Sequence, residues 1–213
     1  MKRMAIVSLL AFTFSAVPSM ASAQLSLGAR SGYSLAAGDM VSGLPYSQAA
    51  DGFVPLQLEA AYHVGAGISV GAYASYGIGI QNATMWSTCG SSGVHCSARQ
   101  LRAGVQATWT LRSVSSDFTP WFGAGAGWEW LTLDLSTSDA FTRDRWSGPE
   151  LANLQFGVDI KHRNPTFGPY LMLSFSRFDD RRIEVDAGVT SGAVADRTIH
   201  RNVSFGLRGA FEL

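Results

Sequence analysis

Apolar residues recur at every second position in eight stretches of this chain. In residues 25–35, Leu25, Leu27, Ala29, Tyr33 and Leu35 form one set, and Ser26, Gly28, Arg30, Gly32 and Ser34 form the other. Val54, Leu56, Leu58, Ala60, Tyr62 and Val64 alternate with Gln57, Glu59, Ala61 and His63. In residues 68–80, Ile68, Val70, Ala72, Ala74, Tyr76 and Ile78 stand against Ser69, Gly71, Tyr73, Ser75 and Gly77. Leu101, Ala103, Val105, Ala107, Trp109 and Leu111 alternate with Gln100, Arg102, Gly104, Gln106 and Thr108. A fifth stretch, PWFGAGAGWEWLTL, sets Phe122, Ala124, Ala126, Trp128 and Trp130 against Gly123, Gly125, Gly127 and Glu129, although Trp121, Leu131 and Leu133 fall with the polar set. Leu154, Phe156, Val158 and Ile160 mark the sixth, Leu171, Leu173 and Phe175 the seventh, and Val203, Phe205, Leu207, Phe211 and Leu213 the last. A period of two gives a strand one apolar face. After residue 24 nothing approaches the ~18–20 continuous apolar residues of a membrane helix.

The intervals alternate in length. Residues 38–53, 81–97, 134–149 and 179–197 are long and polar, whereas 65–67, 112–119 and 162–168 are shorter. An even strand count with alternating long and short connections predicts a closed, eight-stranded, antiparallel up-and-down transmembrane β-barrel. The direction of the apolar face separates this from a soluble sandwich or lipocalin-like barrel. Gly28, Gly32, Gly71, Gly77, Gly104, Gly123, Gly125, Gly127, Gly157 and Gly206 all share the polar face. A narrow interior crowded with long polar side chains needs such gaps, and a solvated exterior does not. No charge interrupts the apolar face across the centre of any strand, where one would cost ~2–4 kcal/mol in lipid. The apolar sets therefore face hydrocarbon. Tyr62, Trp109, Phe122 and Phe211 fall near the short-turn ends, and Tyr33, Tyr76, Trp128, Trp130 and Phe175 toward the long-loop ends, as two interfacial girdles require.

Composition agrees with export to an envelope. The 213 residues are 46% hydrophobic and only 15% charged. Lys2 and Arg3 precede an apolar run that closes with Ala21, Ser22 and Ala23, the order of a cleaved signal peptide over residues 1–23, with the barrel domain over 24–213. Without Lys2 and Arg3, 14 of the 16 basic residues remain against 16 acidic ones, a balance that argues against a nucleic-acid partner.

The segments LGARSGYSLAAGD, VPLQLEAAYHVGAGISVGAYASYGIG, PWFGAGAGWEW and FGLRGAFEL resemble the eight-stranded outer-membrane barrel domain shared by the OmpA transmembrane region and OmpW-like proteins. The resemblance spans essentially residues 24–213 and rests on patterning. It implies location in the outer membrane of a Gram-negative bacterium, contact with membrane lipid and lipopolysaccharide, and handling by the outer-membrane assembly machinery. Such barrels usually end in an aromatic residue that serves sorting. Here Leu213 is terminal and Phe211 stands two before it.

The polar faces bring charges of both signs toward one lumen: Arg30, Arg102, Lys161 and Arg208 with Glu59, Glu129, Asp159 and Glu212, and His63 and His200 nearby. Eight strands leave little more than room for side chains, so a paired plug is expected over an open ion path. Cys89 and Cys96, in STCGSSGVHC, are expected to form a disulfide in an external loop, with a metal site using both thiols and His95 as the alternative. GAGAG lacks the Lys and Ser/Thr of a phosphate loop, and the sequons at Asn82 and Asn202 carry no expectation. No cofactor is expected. A lipid A acyl hydrolase or transferase would draw on His162 or His200 with Ser204 and Glu150, but no spacing places nucleophile beside base on the lipid-facing surface. The expected role is thus structural or surface-interacting rather than enzymatic, with TRDRW and DDRRIEVD in the external loops. A narrow OmpW-like conduit for small hydrophobic or ionic solutes is the alternative.

Overall fold

The computed structural model describes residues 25–80, 89, 93–111, 117–160 and 164–213. Eight long strands close a ring: β1 (Leu25–Ala37), β4 (Gly52–Gly65), β5 (Ile68–Ile80), β6 (His95–Thr110), β7 (Phe118–Ser136), β8 (Phe141–Ile160), β9 (Thr166–Arg177) and β12 (Ile199–Glu212). Each pairs antiparallel with its neighbour in sequence, and β1 also pairs with β12, from Ser26 opposite Glu212 to Ala37 opposite Arg201. Closure satisfies both edges, so no barrel strand leaves a row of bare amides facing lipid. The terminal strand alternates because it shares this wall.

The expected orientation holds. Val105, Leu207 and Leu58 are 63%, 69% and 59% exposed on the outside, whereas Arg30, Arg102 and Glu129 are at most 3% exposed inside. Several lumenal glycines are set by their neighbours. A Cβ on Gly28 would lie 2.5 Å from Glu59 Oε1, and one on Gly157 would strike the Trp121 indole. These positions are left empty so that longer side chains can cross the axis.

Segments expected as long external loops carry structure of their own. β7 and β8 continue through most of 134–149 and turn only at 137–140. Residues 179–197 hold a second hairpin, β10 (Asp180–Val185) and β11 (Gly188–Ala193), with β10 pairing onto the extension of β8. The stretches TRDRW and DDRRIEVD are therefore adjacent strands. Residues 38–53 form β2 (Asp39–Val41), β3 (Leu44–Pro45) and a single helical turn, α1 (Tyr46–Ala49), and Phe53 already belongs to β4. Of 81–97, positions 81–88 and 90–92 lie outside the described residues, and His95 onward belongs to β6.

The apolar core gathers at the loop end of the barrel. Met40, Tyr46, Phe53, Leu131, Trp146 and Phe178 are at most 2% exposed and pack together with Leu133. Leu131 and Leu133 keep the inward parity of Glu129, which explains their place in the polar set: above the charged lumen the barrel is filled by hydrocarbon side chains. Backbone hydrogen bonds from Tyr46 N to Gly38 O (2.7 Å) and from Ala50 N to Tyr46 O (3.4 Å) hold α1 over the opening.

Candidate functional site

Two places concentrate polar side chains: the lumen and the outer rim near β8 and β10. In the lumen, Glu59 is the hub. It accepts hydrogen bonds from Arg30 Nη2 (2.5 Å), Gln106 Nε2 (2.8 Å) and Arg208 Nε (2.7 Å). Arg208 also donates to Asp159 Oδ2 at 2.8 Å, and Trp121 Nε1 donates to Asp159 Oδ1 at 3.0 Å. The Arg30 and Arg208 guanidiniums lie 5.0 and 4.8 Å from the Trp121 ring, so cations and indole stack across the axis. Arg30 Nη1 donates to Gln155, which in turn donates to Gln106 and Asn153. Asn153 donates to Tyr73 at 3.2 Å, and Tyr73 and Arg102 both donate to Glu150. A final group closes the upper end: Glu129 accepts from Tyr46 (2.9 Å) and Gln100 (2.8 Å), with His200 Nε2 at 3.2 Å. His200 stacks on Phe178 at 4.4 Å and meets Tyr46 edge-on at 4.8 Å.

Among the sequence-derived lumen residues, the structure joins Arg30, Glu59, Asp159 and Arg208 directly, links Arg102 to them through Glu150, Tyr73, Asn153 and Gln155, and places Glu129 in the separate group above. Glu212 lies apart at the mouth, opposite Ser26 on β1, 57% exposed at its side chain, with His63 Nε2 at 4.0 Å. Lys161 and His162 lie outside the described residues. The aromatic residues named for the girdles occupy the outer wall: Trp109 meets Phe122 edge-on at 5.0 Å toward the short-turn end, and Tyr33–Phe205 (6.0 Å) and Trp128–Trp130 (6.5 Å) lie further up. Tyr62, Tyr76 and Phe211 are likewise exposed there, and Phe175 sits opposite Ala152 and Arg201.

Sequence reasoning passed over Glu150, Gln100, Gln106, Gln155, Asn153, Tyr73 and Tyr46 as members of this network. The five in regular alternation, Tyr73, Gln100, Gln106, Asn153 and Gln155, carried a usable signal, since neutral polar residues on an inward face must find partners as charges do. Tyr46 carried none, because it sits in a segment without periodicity.

The residues weighed for acyl chemistry are engaged elsewhere. Ser204 Oγ donates to Ser34 Oγ at 2.8 Å, His200 faces Glu129, and Glu150 pairs with Arg102. Ser204 and His200 are four residues apart on β12, about 13 Å at strand rise, too far for nucleophile and base. Cys89 and Cys96 form a disulfide with Cα atoms 5.7 Å apart, so neither thiol is free to ligate a metal.

Where the barrel wall rises past the outer girdle, the second concentration appears. Arg99, Arg143, Arg145 and Arg182 project outward and share Asp134 and Glu184: Arg143 Nε lies 2.5 Å from Asp134, Arg145 Nη1 3.3 Å and Arg182 Nε 3.0 Å from Glu184, and Arg99 also pairs with Asp134. Burial pushes the Asp134 carboxyl up, but hydrogen bonds and charge from Arg143 and Arg99 outweigh it and hold the group below the usual carboxylate range.

The outside of the barrel decides its setting. Across the middle of all eight barrel strands, below the arginine rows, the exterior presents Leu, Val, Ile, Phe, Tyr and Trp, while charges at that height are sequestered within. No protein-family model and no curated protein matches the chain. Among solved structures, a major outer membrane protein from Thermus thermophilus superposes with a TM-score of 0.62 at 12% identity, over 90% of this chain and 100% of that one. This is a membrane-spanning β-barrel with an outer-membrane protein fold. Neisserial surface protein A gives a TM-score of 0.48 at 14% identity, over 87% of this chain and 95% of that one. Ail, the attachment invasion locus protein of Yersinia pestis, gives 0.45 at 10% identity, over 89% and 97%. The first likeness establishes the barrel's fold alone. What this barrel does must come from its own side chains.

Proposed function

We propose that this outer-membrane barrel is closed to solutes and works at the cell surface, as a structural element and a contact surface. The filled lumen carries this reading. From Asp159 through Glu59 and Glu150 to Glu129, side chains of opposite sign cross the interior, and the apolar group around Tyr46 and Phe178 lies above them. The void among these residues near the short-turn mouth measures about 80 Å³, enough for a handful of waters. A solute would have to displace buried ion pairs and α1 together. The wall above the bilayer, by contrast, is built up by the strand extensions and β10–β11, a large expenditure of ordered chain outside the membrane. Contact with membrane lipid and lipopolysaccharide, and recognition of the β12 edge by the assembly machinery, complete the reading. Incorporation into planar lipid bilayers tests it: no reproducible unitary conductance is expected, and stepwise currents that scale with protein would make it a conduit.

A further inference from the structure

The outer wall holds a cleft of about 830 Å³ on the face where the β10–β11 hairpin continues the extended β6–β7–β8 sheet. Its lower part is lined by Tyr76 and Trp130 of the upper girdle and by Leu101, all exposed. Its upper part is lined by Arg99, Arg143, Arg145 and Arg182. Strand pairing fixes this layering. Leu101, Trp130 and Ser147 form one outward row, Arg99, Thr132, Arg145 and Arg182 the next, and Asp134, Arg143 and Glu184 the one above. The hairpin is anchored from its other face, where Arg181 grips Asp144 through Nε (3.0 Å) and Nη2 (2.7 Å) and lies 4.4 Å over the Trp146 ring.

We infer that this cleft binds the phosphorylated headgroup of an outer-leaflet lipid, with its acyl chains on Leu101 and Trp130. This rests on the reading of the molecule as a surface-facing membrane barrel and names one partner of that surface. Among the described residues, the four outward guanidiniums pair with the carboxylates of Asp134 and Glu184, with Asp180 as a further carboxylate at the rim. Their fork geometry leaves donors unused, and the buried Arg99 Nε has no hydrogen-bond partner. Phosphate oxygens match such donors in pairs. The side chains of Arg145 and Arg182 are 43% and 53% exposed, reachable by an incoming anion. A free anion would explain the arginines but not the apolar floor, which runs without a break into the lipid-facing wall. An occupant with phosphate above and hydrocarbon below satisfies both.

The test uses the full barrel folded in detergent and native mass spectrometry with three probes: diphosphoryl lipid A, the same lipid after dephosphorylation, and inorganic phosphate. One diphosphoryl lipid per barrel is expected, with the dephosphorylated lipid and the Arg145→Gln/Arg182→Gln variant each about tenfold weaker. Trp130→Ala is expected to weaken binding several-fold with phosphate contacts intact. Equal binding of both lipids, unchanged affinity in the arginine variant, or displacement of the lipid by millimolar phosphate would overturn the assignment. Heat-dependent gel migration, run in parallel, separates the two levels: a variant that retains it but loses lipid supports the cleft, whereas its absence in the unaltered protein would remove the barrel reading itself.

Discussion

Replacing Glu150 with alanine is expected to destabilise the barrel by about 3–5 kcal/mol, because it leaves the Arg102 guanidinium buried without its counter-ion. Both side chains are enclosed, at 3% and 0% exposure, and Tyr73 also loses its acceptor. Urea unfolding of the protein reconstituted in lipid vesicles, followed by loss of the compact gel band, gives the measurement. The pair variant Arg102→Met/Glu150→Leu is expected to recover most of the loss, because removing both charges also removes their desolvation cost. A loss under about 1 kcal/mol for Glu150→Ala, the size typical of a surface pair, would show that the pair is hydrated.

Val105→Arg is expected to cost about 2–4 kcal/mol in the same assay. Val105 is 63% exposed on β6, midway between Trp109 of the lower girdle and Leu101 at the foot of the cleft. On a soluble barrel an arginine at so exposed a position would be nearly neutral. The substitution therefore reads the solvent around the wall rather than the packing within it. Val189→Arg on β11, where Val189 is 58% exposed above the bilayer and stands opposite Glu184, is the matched control and is expected to cost little.

How far the sequence revealed this arrangement differs from strand to strand. β1, β4, β5 and β12 were legible almost to their ends, because one parity faces lipid and the other faces the axis throughout. β8 was recovered only from Asn153 downward. A bulge between Glu150 and Ala152 shifts the register, so Trp146, Gly148 and Glu150 face inward above it while Asn153 and Gln155 do so below. An alternation that changes phase reads as an ending, and Glu150, just past the 134–149 interval, was weighed only as an acidic partner for acyl chemistry. Above the bilayer, polar-in and apolar-out gives way to Leu131 and Leu133 inside with Thr132 and Asp134 outside, which blurred the top of β7. The cleft was hidden for a related reason. Its arginines come from β6, β8 and β10, and only the pairing of Arg145 with Arg182 and Thr132 brings two charged stretches of distant sequence onto one surface.

Spin-label accessibility along β5 tests most directly whether hydrocarbon touches the apolar face. Single cysteines at Val70, Ala74 and Ile78, and at Ser69 and Ser75 on the opposite face, would each carry a nitroxide in vesicles, the two native cysteines being joined to each other. Labels at 70, 74 and 78 are predicted to collide readily with lipid-dissolved oxygen, and those at 69 and 75 to be shielded from it. Oxygen contact at 69 and 75, with 70, 74 and 78 shielded, would contradict the orientation from which the closed lumen and the lipid cleft both follow.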